Sequence, residues 1–79
     1  MSPDEAAFLH AVGRRVRLAR LTRERTQQEL AEAAGISRSF VSLIEHGAHG
    51  VDVLRLRRIA VALDLPLGDL LGDVERPQP

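Results

Sequence analysis

Residues 26 to 47 read TQQELAEAAGISRSFVSLIEHG, and this stretch constrains the fold of the 79-residue chain more than any other. Thr26, with Glu29 three positions on, is a capping box that opens a helix by satisfying its free backbone N–H groups. Leu30, Ala31 and Ala34 give that helix one apolar face. Gly35 ends it, because glycine accepts the positive φ of a helix C-cap. Ile36 turns inward. Ser37 caps the next helix, whose apolar face is Phe40, Val41 and Ile44, and Gly47 stops it. The unit is therefore helix, glycine turn, helix.

The flanking sequence supplies its partners. Ser2-Pro3-Asp4-Glu5 is a second capping box with proline at the first helical position. Phe8, Leu9, Val12, Val16 and Ala19, with Leu18 beside them, recur at three-and-four spacing. A first helix is expected from Pro3 to Leu21 or Thr22. Residues 48 to 51 form a loop. Asp52 caps a fourth helix with Val53, Leu56, Ile59, Ala60 and Leu63 on one face. Pro66 starts a last short turn ending near Leu71-Gly72. The plan is all-α: five helices in one domain over residues 1–72, then a polar, proline-rich, flexible tail over 73–79. Only Phe8 and Phe40 are aromatic in a chain that is 44% hydrophobic, so the core must be aliphatic. A chain this short buries only about 60–65% of its unfolded surface.

Several classes are not expected. There is no cysteine, hence no disulfide and no thiolate metal site. The first residues lack the basic start and apolar run of an export signal, and no run approaches the ~18 apolar residues of a membrane span. The expected location is cytoplasmic. Enzyme chemistry has no foothold: there is no glycine-rich phosphate loop, no histidine is placed to activate a serine, and the carboxylates are scattered among arginines. No cofactor is expected. His46 and His49 lack a nearby third ligand, so no metal is expected.

Formal charge is zero, but its distribution is uneven. All eleven basic residues are arginine. Six fall between Arg14 and Arg25 against one acid, Glu24, and three more are Arg55, Arg57 and Arg58. Asp64, Asp69, Asp73 and Glu75 collect near the C-terminus. A neutral total can hide a basic face and an acidic end; the plainer reading is a solvated helix surface. The 26-to-46 spacing is likewise open. It fits a helix-turn-helix, in which the second helix can enter the major groove, and it fits a plain αα-hairpin in a small bundle.

The residues themselves resemble a known family. Thr-Gln at the start, Glu-Leu-Ala, the turn glycine, Ile-Ser-Arg-Ser and Ile-Glu-x-Gly match, in register, the helix-turn-helix of the Cro and lambda-repressor type, the XRE family. Arg17 and Arg20 stand where that family carries two arginines. Leu56, Ile59-Ala60 and the segment ALDLPLGDLL at 62–71 continue the match without insertion, so it covers about residues 8 to 71. Three positions depart. The residue before Thr26 is usually apolar and here is Arg25, which can snorkel. The usual glycine before that is Glu24. The common Pro-Ser before the fourth helix is Val51-Asp52, where Asp52 can cap in place of serine.

The resemblance implies a five-helix, lambda-repressor-like DNA-binding domain with its helix-turn-helix at helices two and three. Helical spacing puts Arg38, Ser39, Ser42 and Leu43 together, opposite Val41 and Ile44, where a recognition helix meets base edges. Arg38 can pair with guanine O6 and N7 or clamp a phosphate. Leu43 is either a thymine-methyl contact or a member of the core. By resemblance, Gln27 and Arg17 bind phosphate, and His46 and His49 flank a loop along the sugar-phosphate backbone. By resemblance also, Arg20 and Glu45 form a partly buried salt bridge that fixes the recognition helix. Leu54 and Val61 lie beside the core stripe of the fourth helix, and Leu65 and Leu67 follow. An apolar excess of this kind calls for a cover, and a symmetric homodimer through these residues is expected. The expected function is a transcription regulator, a repressor or controller, bound as a homodimer to a palindromic double-stranded DNA operator. The alternative of another class is the antitoxin of a toxin–antitoxin pair, with DNA binding kept for autoregulation.

Overall fold

The computed structural model describes residues 2–48 and 50–72. His49 and the expected tail over 73–79 lie outside the described residues. Five helices follow in order: α1 (Pro3–Thr22), α2 (Gln27–Ala34), α3 (Arg38–Glu45), α4 (Val53–Ala62) and α5 (Leu67–Leu71). This is the all-α plan expected from the sequence.

The starts are set by capping side chains. The Ser2 hydroxyl accepts from Glu5 N–H while the Ser2 N–H donates to the Glu5 carboxylate, and Thr26 and Glu29 do the same at α2. Ser37 accepts from Phe40 N–H, and Asp52 from Arg55 N–H. Each satisfies a donor that the first helical turn leaves free.

The ends of the first four helices share one device. At α1, Glu24 N–H donates to Leu21 O and Arg25 N–H to Arg20 O. The same pair of bonds closes α2 from Gly35 and Ile36, α3 from Gly47 and Ala48, and α4 from Asp64 and Leu65. The first residue of each pair must take positive φ. Gly35 does so at +68° and Gly47 at +78°, but Glu24 at +55° and Asp64 at +57° do so without being glycine. The family's usual glycine at position 24 thus has a conformational reason that Glu24 does not share.

Val16, Leu30, Val41, Ile44, Ile59, Leu63 and Leu70 are the largest fully buried side chains, and every helix contributes at least one. Burial of each is worth about 1.5–3 kcal/mol. α3 packs across α1 and α2, α4 packs on α2, and α5 bridges α1 and α4. Gly13 is buried where α1 crosses α3: a Cβ there would strike the Ile44 carbonyl and lie 2.8 Å from Glu45 O.

Two expectations for the core need correction. Val53 is 66% exposed. It is the first residue of α4, one turn ahead of Leu56, and overhangs an apolar cleft of about 160 Å³ rimmed by Phe8, Leu9, Leu56 and Leu71. Leu18 is exposed too, on the flank of α1 away from Val12 and Val16.

Candidate nucleic-acid interface

α3 is eight residues long and sorts its side chains sharply. Val41 and Ile44 are buried and Phe40 packs against the core, whereas Arg38 and Ser39 are exposed and Ser42 is half-buried. Leu43 is 53% exposed, so it is not a core residue. One edge of this face therefore carries a guanidinium, the middle carries two hydroxyls, and the other edge carries a branched alkyl group. The two ion pairs among the described residues are Arg20–Glu45 and Arg55–Asp52; neither engages Arg38.

A polar cluster fixes the C-terminal turn of α3. Arg20 Nε donates to Glu45 Oε2 at 2.7 Å, Arg20 Nη2 to Glu45 Oε1 at 3.1 Å, and Arg20 Nη1 to the Arg25 carbonyl at 2.8 Å. The Glu45 side chain is only 3% exposed. The hydrogen bonds to Glu45 raise the Arg20 pKa above its already high ordinary value, outweighing the opposing effect of burial. Gln27 joins the cluster, donating from Nε2 to Glu45 Oε1 at 3.1 Å. One carboxylate thus ties together α1, the first turn of α2 and the last turn of α3. Gln27 keeps its amide oxygen and one N–H for other use.

The arginines of the basic run from Arg14 to Arg23 fall into two groups, with the candidate phosphate contact Arg17 in the first. Arg17 and Arg14 are exposed on α1. Arg15 and Arg23 have internal partners: Arg15 Nη1 reaches the Leu70 and Leu71 carbonyls at 3.5 Å each, and Arg23 Nη1 donates to Ala19 O at 3.1 Å. His46 is exposed, with Nδ1 2.7 Å from the Ser42 carbonyl. A carbonyl only accepts, so this bond puts the ring proton on Nδ1 and leaves Nε2 bare in the neutral ring. His49 lies outside the described residues.

The candidate interface between copies divides as well. Leu54 and Val61 are 67% and 63% exposed on α4. Leu65 and Leu67 are half-buried and pack partly on the chain's own core. Arg25, at the usually apolar position, is half-buried and donates from Nη1 to Ala62 O at 2.8 Å.

Three participants escape sequence reasoning. Gly13 had a signal, an isolated glycine in a helical pattern, which points to close packing. His10 had none; its ring lies over Gly47, where a Cβ would be 2.6 Å from Nδ1. The Gln27–Glu45 bond spans 18 positions in sequence and no periodicity reports it.

A short helix held across another by a buried core and one ion-pair cluster, with a polar face turned outward, is a helix-turn-helix. The chain belongs to the helix-turn-helix family (HTH_3), whose profile matches residues 16–70. It is similar to the immunity repressor protein of Bacillus phage phi105, 34% identical over 62 residues; these cover 78% of this chain and 43% of the repressor, so the chain spans less than half of that relative. Among solved structures it resembles the restriction-modification controller protein C.AhdI from Aeromonas hydrophila, with a TM-score of 0.78, 33% identity and coverage of 81% and 97%. The N-terminal DNA binding domain of SinR from Bacillus subtilis matches with a TM-score of 0.76, 28% identity and coverage of 85% and 99%. Members of the family are DNA-binding transcription regulators and not enzymes. Among the described residues no helix is long and apolar enough to cross a membrane.

Proposed function

We propose that this DNA-binding regulator acts as a homodimer on a palindromic operator, with α3 of each copy in the major groove. The observation that carries this reading is the outward face of α3, polar except for Leu43, on a helix braced at its last turn by Arg20, Glu45 and Gln27. Arg38, Ser39, Ser42 and Leu43 read base edges. Gln27, Arg17, His46 and His49 hold phosphates, with helix N-terminal amides adding to them. The near neutrality of α3 is no obstacle, because phosphate attraction comes from α1.

The exposed Leu54 and Val61 support a two-fold contact through α4, with Leu65 and Leu67 at its edge. Two copies reach half-sites about 34 Å apart, which multiplies the small surface that one module can bury on DNA. Regulation follows from occupancy: a repressor blocks polymerase, and a controller can also recruit it.

Selection of bound sequences from a random duplex pool at fixed salt tests the reading. A two-fold symmetric sequence is the expected result; enrichment of nothing by the folded protein refutes it. Binding should also weaken steeply as salt rises. Arg38→Ala separates base reading, which loses preference at one base pair by about 1–3 kcal/mol, from phosphate contact, which weakens all sequences alike. Leu54→Glu should give monomers in sedimentation; a persistent dimer would put the interface elsewhere.

A further inference from the structure

Leu43 is the one apolar residue on the outward face of α3. The other large exposed apolar residues among the described ones lie on α1 (Leu18, Leu21) or α4 (Val53, Leu54, Val61), and none shares a helix with Arg38, Ser39 and Ser42. Folding gains little from an isobutyl group left in water. The backbone at Leu43 does not require that side chain either, since its carbonyl simply accepts from Ala48 N–H in the helix-ending turn.

Its neighbour sharpens the reading. Ser39 and Leu43 are four residues apart, so they stand in one row on α3 with Cβ atoms about 5–6 Å apart. The row offers a hydroxyl and, one turn on, a branched alkyl group. In the major groove thymine alone sets an apolar group, its C5 methyl, beside an acceptor, O4. A serine hydroxyl both donates and accepts, so by itself it discriminates poorly. An alkyl group cannot be satisfied by a polar edge, so its contribution is selective.

Resting on the DNA-binding reading above, we propose that Leu43 is a specificity residue that packs on the C5 methyl of a thymine in each half-site, with Ser39 donating to O4 of the same base. The chemistry recognised is a pyrimidine 5-methyl group, and it accounts for a leucine where a purely polar reader would carry another donor.

Replacing single thymines of the selected operator by deoxyuridine tests this, because deoxyuridine pairs identically and lacks only the methyl. At one position per half-site the wild-type protein should bind about fourfold more weakly, the effect of one lost apolar carbon. Leu43→Ala should bind thymine and uracil duplexes alike at that position, and Leu43→Met should restore the preference. Thermal melting of both variants should match wild type, since the residue is exposed. If no thymine shows the loss, or if Leu43→Ala keeps the same thymine-to-uracil ratio, the proposal is wrong. Failure of the wild-type protein to bind any duplex in a salt-dependent way would instead overturn the DNA-binding reading beneath it, a result distinct from indifference to the methyl on a bound operator.

Discussion

Arg20 commits three N–H groups, two to Glu45 and one to the Arg25 carbonyl, and so carries the contact between α1 and α3 that no apolar pair could orient so strictly. Removing one partner leaves a buried charge unpaired. Arg20→Ala should cost about 3–5 kcal/mol in denaturant unfolding, and Arg20→Met combined with Glu45→Leu should cost less than Arg20→Met alone. A double variant as damaging as the sum of the singles would show that the pair is not coupled. Glu24 makes the opposite case. It holds a left-handed conformation at +55° that disfavours a Cβ. Glu24→Gly should raise stability by about 0.5–1 kcal/mol, read as a higher melting temperature, even though it removes a side chain.

At the scale of the element, the helix starts depend on ionised caps. Backbone and hydroxyl hydrogen bonds from Ser2 hold the Glu5 carboxyl below its ordinary range, and Thr26 does the same for Glu29. The Arg55 N–H, followed by the Arg55 charge, lowers Asp52. A folded pKa below the unfolded one means that the stabilisation is full above the unfolded pKa and is lost as pH falls through the folded one. Stability should therefore drop as acid carries these groups through and below about pH 4. Glu29→Gln keeps an acceptor without the charge, so thermal melts at pH 7 and pH 3 should differ less for it than for wild type. The caps were legible in the sequence because they are local: Ser2 with Glu5, Thr26 with Glu29, Ser37 and Asp52 act within three residues. Periodicity assigns Val53 to the core face but does not say where the neighbouring helix stops, so its exposure is not legible. The tie of Gln27 to Glu45 is tertiary, so the sequence shows only the resemblance-based phosphate role.

At the scale of the molecule, five short helices rely on one aliphatic core and one ion-pair cluster, and Leu43 on α3 and Leu54 and Val61 on α4 stay exposed. The order of elements and the sorting of α3 followed from spacing, and the family followed from a long motif in register. The direction in which Leu43 points did not, since an edge position on a helix belongs to the core or to solvent according to what packs beside it. Gly13 settles a wider matter. Gly13→Ala should force α1 away from α3, lowering stability and loosening duplex binding together, and unchanged melting and affinity would contradict this close approach. Because main chain meets main chain there, the seating of α3 on its platform is independent of the residues that α3 turns outward. Those residues can be exchanged one at a time while their mounting stays fixed. If the proposed base-reading role of that face holds, such a molecule can acquire a new target sequence by substitutions at Arg38, Ser39 and Leu43, all exposed, with its folding left almost untouched.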